Sequence, residues 1–572
     1  MNKSISLTLA VILVLFYIGF ALSKKVSPPM RAEDRRTDIY RGRLIMACSP
    51  DWSVINADSL GKTMPPLPGS GSHHWDIHSR HDSAQLFFDQ GMNLYYGFHI
   101  IESMASFIKA AQFDPENPMI HWGKALAYGP NINDMEYLAT PEALESARRA
   151  ATFSTRADSI GQSLIEAIQV RYSEKSTISR TRLNEAYASA MKKVYDRYGN
   201  RADVAALYAD ALMLLHPWKY WKKTGQPEPW TPEIIRVLEK TLASDPEHPG
   251  ANHYYIHMVE ASPDPGKALA SADRLPSLMP GAAHMVHMPS HIYIRTGYYQ
   301  KGVNVNTQSQ VSYQNYLNLY PDVANNAPLY LLHNLHMKAA CAMMLSSYSL
   351  SRNAAQELIS NIDTSFLSMA APLGNFAQYM YMTPLMVNVR YEKWDDILNS
   401  PAPDKKQVFA YSLYLWGKGM AQVSRNYKTD DAKKTLAQLR QWIKKADMQV
   451  VLPPFNKPSD QMKVGEWMLA GLIAEKDGLD IQATDAFNKA VAAEDNLVYN
   501  EPSDWLLPAR YWQAMYCFRK HDLNNAEKII KEDLRINPRN FHSLTLLSEI
   551  YSMTNRYKEM EETGQMIKES AY

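Results

Sequence analysis

The chain has 572 residues, enough for several globular domains or one long array of repeats. Its 60 Lys and Arg balance 59 Asp and Glu, and no basic tract stands out, which argues against nucleic acid as the main partner. An apolar fraction of 46% excludes a disordered chain, and only 24 glycines beside abundant Ala, Leu, Met and Tyr favour helix over sheet.

Residues 5–22, ISLTLAVILVLFYIGFAL, are an uninterrupted apolar run behind Lys3. Such a run after a basic start reads as an export signal, and Ala21-Leu22-Ser23 offers small residues for cleavage. A run of 18 residues also just spans a bilayer, so an uncleaved anchor is the alternative. Both readings put residues 24 onward in the periplasm or cell envelope, tethered to the inner membrane if the segment stays. Cys48, Cys341 and Cys517 lie far apart, so no disulfide framework is expected. Residues 24–75, rich in Pro, Gly, Ser and charge, read as a linker or irregular cap.

Repeats follow. Gly91 and Ala110 are small residues that let paired helices approach, Phe107 fills the gap, and Pro115 ends the second helix. Proline punctuation returns at Asp245-Pro246 and Met279-Pro280, 34 residues apart. Trp467, Gly471, Ala483, Phe487 and Ala490 repeat the large and small spacing; Ala526 and Pro538 bound the next second helix, and Tyr551 falls in a final, capping pair. Residues 346–460 keep helical periodicity but lose the repeat spacing.

These residues resemble the tetratricopeptide repeat superfamily, whose unit is a 34-residue helix–turn–helix. The segments HWGKALAYGPNIN, ANHYYIHMVEASP, HMPSHIYIRTG, HNLHMK, EPSDWLLPAR and KEDLRINPRN also resemble a family of large bacterial tetratricopeptide proteins, from about Gln85 to the end. The resemblance implies fold and site position, not chemistry. The fold expected is an all-α solenoid: a signal or anchor at 1–23, a linker or cap at 24–75, a histidine-rich solenoid at 76–345, irregular helical hairpins at 346–460, and C-terminal repeats with capping helices at 461–572.

His253 and His257 recur as His287 and His291, each after 34 residues. In the superfamily the first helix of each pair lines the concave groove. Carried over by spacing, that face holds Gly250, His253, His257 and Glu260 in one repeat, then His284, His287, His291 and Arg295 in the next. Glu260 has Ile294 as its repeat equivalent, so the two stripes differ. Stacked helices lie about 8–10 Å apart, which lets their imidazoles converge. Histidines at i and i+4 chelate Fe, Cu or Zn, and Glu260 can serve as a further ligand or as a general base. His333 and His336 lie on a third helix. Seven of the 17 histidines fall between 253 and 336, where even spreading gives about two or three.

The competing reading is a structural network, with each ring hydrogen-bonded and Tyr254, Tyr255 and Tyr293 as partners. Pro289 either kinks the second stripe's helix or starts it, and a start there is expected to take His284 off the face. His73, His74, His78 and His81 read as a solvated segment, and His99 with Glu102 as a structural pair. The aromatic insertion WKYWKKTGQPEPW reads as a surface loop, with a lid over the groove as alternative. Trp505 and Arg510 reach a ligand or anchor a repeat.

No GxGxxG, GxSxG, HExxH or CxxC pattern occurs, and Gly61-Lys62-Thr63 has Asn56 where a phosphate loop needs glycine. Three functions stay open. One is a groove that binds a protein or small-molecule ligand around the histidines. Another is a metal-dependent enzyme using the cluster and Glu260. The third is a scaffold for protein partners.

Overall fold

The computed structural model describes residues 50–570, apart from 51, 53–54, 134–136, 138, 176, 322–327, 426–427 and 452–455. The apolar run 5–22 and Cys48 lie outside the described residues. Among the described residues the regular elements are helices, and none is long and apolar enough to cross a membrane.

Helices α1 (Asp82–Tyr96), α2 (Ile100–Phe113) and α3 (Pro118–Ala127) show how a unit is built. Phe107 on α2 projects into the space left by two glycines. A Cβ at Gly91 on α1 would stand 2.6 Å from its ring, and one at Gly123 on α3 would stand 2.7 Å away. A methyl at either position overpacks the seam, at about 1–3 kcal/mol. Proline then resets the chain: Asn117 accepts the Met119 N–H at 3.0 Å, and Pro118 occupies the first turn of α3, where no amide hydrogen is needed.

The remaining helices that place the site are α4 (Ala202–Met213), α5 (Pro249–Val259), α6 (Ala283–His287), α7 (Pro289–Thr296), α8 (Tyr299–Leu319) and α9 (Pro328–Met344). Near the C-terminus, α10 (Pro458–Lys476) and α11 (Asp480–Asp495) reuse the first unit's device, with Gly471 set against the Phe487 ring. From Asp82 onward, helices consecutive in the chain pack on one another. The described residues thus form an all-α solenoid of helix–turn–helix units of tetratricopeptide type, interrupted by the short helices Leu373–Tyr381, Thr383–Arg390 and Trp394–Asn399.

The largest core runs from Met64 to Tyr320 and a second from Ala340 to Ala509. Met64, Leu67 and Trp75 are buried in the first core, so this stretch before α1 is packed, with Trp75 edge-on to Trp122 at 5.6 Å. Around the site α1 packs on α5, α5 on α7, both α6 and α7 on α8, and α8 on α9.

Candidate metal centre

The backbone path decides which rings meet. The helix does restart at Pro289, yet Met288 keeps helical angles (φ −48°, ψ −36°), so α6 runs into α7 without losing its face. His284 therefore stays in the cluster, 5.1 Å from His253 ring to ring, contrary to the expectation that a start at Pro289 removes it.

Six rings form two adjoining groups of three, His253/His257/His284 and His287/His291/His333, each able to converge on one ion. In the first, the Nε2 atoms of His253 and His257 are 3.1 Å apart. In the second, the His291 Nε2 lies 2.9 Å from that of His287 and 3.3 Å from that of His333.

The far side of four of the rings fixes their tautomer. His253 Nδ1–H donates to the Tyr96 carbonyl at 2.6 Å. His257 Nδ1–H donates to Glu260 Oε1 at 3.2 Å. Asn306 donates its Nδ2–H to the Gly302 carbonyl, which turns Oδ1 toward His287 to accept its Nδ1–H at 2.6 Å. His291 Nδ1–H lies between Glu260 Oε2 at 2.7 Å and Glu501 Oε2 at 2.5 Å. Carbonyl, amide and carboxylate oxygens only accept, so in the neutral rings the Nε2 atoms carry lone pairs. Lone pairs facing each other near 3 Å repel unless a cation or a proton stands between them. Nitrogens bound to one ion at about 2.0–2.1 Å are about 3.0–3.4 Å apart, which matches these spacings.

Charge sets one ring apart from the others. Burial pushes His253, His284, His287 and His333 well below the ordinary histidine range, with like charge on neighbouring rings adding to it, so these four are neutral. Burial also opposes charge on His291, but Glu501 and Glu260 outweigh it and raise this ring to about 10. Against the cost of its own burial, His257 and His291 hold Glu260 below the usual carboxylate range. Burial, together with the charge on Glu260, pushes Glu501 up.

Glu260, expected as a ligand or base, has a set of its own with His291 and Glu501 that could hold an ion. Both its oxygens face Nδ1 atoms, so it orients one ring from each triad. Arg295 lies behind it: its guanidinium donates to the carbonyls of Glu260 and Ser262, each at 3.2 Å. His336 does not join the cluster; it is buried against Tyr379 at 5.6 Å, and burial holds it at about 4. Trp505 is buried in the second core, 4.9 Å from Trp416, and Arg510 pairs bidentately with Asp495 at 2.7 Å, so both anchor repeats. The aromatic insertion, expected as a surface loop, reaches the site: Trp218 stands edge-on to His257 at 5.4 Å, and Trp221 donates to the Met258 carbonyl at 2.7 Å.

A further cluster resembles a ligand set by composition only. His73 Nε2 lies 2.7 Å and His248 Nε2 3.3 Å from Asp203 Oδ1 at the start of α4, and the Tyr96 hydroxyl donates to the same oxygen at 2.8 Å. The Ala251 N–H, however, donates to His248 Nδ1 at 3.1 Å as part of the α5 cap. His248 Nε2 therefore carries the hydrogen and donates to Asp203. This is a buried ion-pair network. It corrects the solvated reading of His73, although His74 pairs near the surface with Asp89 at 2.7 Å. His99 meets Glu102 at 3.3 Å as a buried pair.

Glu501, Asp203, His248, Asn306 and Phe98 were not legible as site residues. Glu501 sits in EPSDWLLPAR, a segment singled out in the sequence, but its meeting with His291 joins distant stretches that no periodicity relates.

No family model matches the chain, and no curated protein matches it. Among solved structures the chain is similar to the human IFIT1 dimer with m7Gppp-AAAA, at 12% identity over 91% of this chain and 95% of that one, with a TM-score of 0.31. It is similar to yeast Tom70 at 12% identity over 85% of this chain and 99% of that one, with a TM-score of 0.28. Likeness at this level carries no weight for function, and the fold assignment stands on the helix packing itself.

Proposed function

We propose that this chain is a transition-metal protein whose solenoid holds ions on His253/His257/His284 and His287/His291/His333, with Glu260 orienting a ring of each triad. The observation that carries this is the set of Nδ1–H groups committed outward to Tyr96, Glu260 and Asn306, which leaves Nε2 lone pairs facing inward. All-imidazole donors favour Zn, Cu or Fe over Mg or Ca, which prefer oxygen. Oxygen acceptors behind metal-bound imidazoles are the usual means of fixing their tautomer. The export and membrane reading rests on residues 5–22, and kinship with large bacterial tetratricopeptide proteins rests on the quoted segments; both are kept as part of this proposal.

A second reading has an observation of its own. Two carboxylates stand against His291, and an imidazolium there can donate its Nε2–H to His287 and hold the second triad together with one proton. Elemental analysis of purified full-length protein separates the two. The metal reading expects about two equivalents of Zn, Cu or Fe, lost in the His253→Ala/His287→Ala double variant. A metal-free protein that cannot be loaded sinks it. Retained helicity in the double variant then points to a scaffold, and lost helicity to a structural network.

A further inference from the structure

Both triads supply three nitrogens, one short of a tetrahedron, so what covers the fourth position decides what each ion can do. Over the first triad lies Phe98, its ring 4.6 Å from His253, 5.9 Å from His257 and 6.3 Å from His284. Phe98 is fully buried and holds φ at 56°, a left-handed conformation that a bulky side chain rarely adopts. The turn between α1 and α2 thus accepts backbone strain at the residue that places an apolar ring against three imidazoles.

The second triad is built differently. Among the described residues no Phe, Tyr or Trp ring lies against His287, His291 or His333. His287 and His291 are buried, whereas His333 is of intermediate burial and the least enclosed residue of the six. The surroundings also ask for negative charge. Two divalent ions and the nearby Arg295 outnumber the carboxylates of Glu260 and Glu501, and buried uncompensated charge is costly. An exogenous anion on an ion supplies the balance.

Resting on the metal reading above, we infer that the two ions are unequal. The ion on His253/His257/His284 is closed and structural. The ion on His287/His291/His333 keeps an open position, reached past His333, that takes a small anionic oxygen or nitrogen donor. Substrate chemistry, where there is any, belongs to the second ion, and Phe98 is the residue that denies it to the first.

The test uses the full chain loaded with Co(II) and titrated with sodium azide, read by the visible absorption of cobalt and by bound-metal content. The expected result is about two bound ions, of which azide shifts the bands of one. His333→Ala removes the azide response with the loss of one ion, and His284→Ala keeps the response while losing the other. Phe98→Ala makes the bands of the ion on His253/His257/His284 azide-sensitive as well. Should His333→Ala lose helicity, His333→Asn supplies the same comparison. Two ions bound with no azide response, with equal responses, or with the response lost in His284→Ala and kept in His333→Ala, overturn the inequality and leave the metal reading intact. A protein that takes up no cobalt at all fails the metal reading itself, and the inequality falls with it.

Discussion

The first triad and the His73–Asp203–His248 cluster meet at the same tyrosine, Tyr96, yet the protons of the two triads and of that cluster point in opposite directions. Behind His253, His257, His287 and His291 stand oxygens that accept the Nδ1–H, so in the neutral rings the inner nitrogens are basic. Behind His248 stands an amide that donates, so its inner nitrogen is acidic and is used up on Asp203. Residue types and distances alone make both groups look like ligand sets. The partner on the far nitrogen separates a metal-ready cluster from a self-neutralising one.

The sharpest way to break this comparison is to strip the ions. At ligand concentrations about a thousandfold above the dissociation constant, bound metal adds about 4 kcal/mol to stability. Chelation is therefore expected to lower the thermal midpoint and the amide-exchange protection of α5 and α7. A metal-containing protein whose midpoint ignores chelation contradicts the assignment. Next in size is Asp203→Ala, which leaves His73, His248 and the Tyr96 hydroxyl without their acceptor and should cost about 3 kcal/mol. Metal content should stay the same; a parallel loss of metal would show that the clusters are not separable. Glu260→Gln should weaken metal binding about tenfold to a hundredfold, measured by competition with a chromophoric chelator, because an amide cannot accept from both His257 and His291. Unchanged affinity would remove Glu260 from its orienting role.

A smaller effect tests the ion-pair cluster by pH. Burial opposes charge on His73, but Asp203, helped by Asp245 and Asp89, raises it above its unfolded value of about 6.5. A proton held more tightly when folded stabilises fully below that value, and the contribution is lost as pH rises through the folded pKa. The stability gap between the unsubstituted protein and His73→Gln should therefore be wider near about pH 5.5 than near about pH 8.5. The reverse order would assign the raised pKa to the wrong group. Smallest of all, Arg510→Ala breaks a pair whose carboxylate is half exposed, and should cost less than about 1 kcal/mol with no change in metal.

The repeat architecture was legible because it is written in local chemistry. Gly91 against Phe107 and Gly471 against Phe487 are small and large residues at fixed spacing, and Pro118 and Pro249 sit in first turns. The 34-residue recurrence also pointed to His253, His257, His287 and His291, since a repeated helix face recurs with its repeat. What could not be read came from outside that period. Glu501 arrives from a loop far along the chain, Asn306 from the helix behind, and Phe98 from a turn. His336 shares a helix with His333, but its ring lies against Tyr379 on the neighbouring hairpin. Trp505 and Arg510 look like groove residues by type, and packing against Trp416 and Asp495 claims them first.

Gly250 has no side chain to contribute to either cluster, yet both depend on it. A Cβ there would fall 2.5 Å from the Tyr96 ring. That one tyrosine gives its carbonyl to His253 and its hydroxyl to Asp203. A single added methyl would dislodge a residue shared by two otherwise independent sets of contacts, so the position must remain glycine for as long as the protein keeps both.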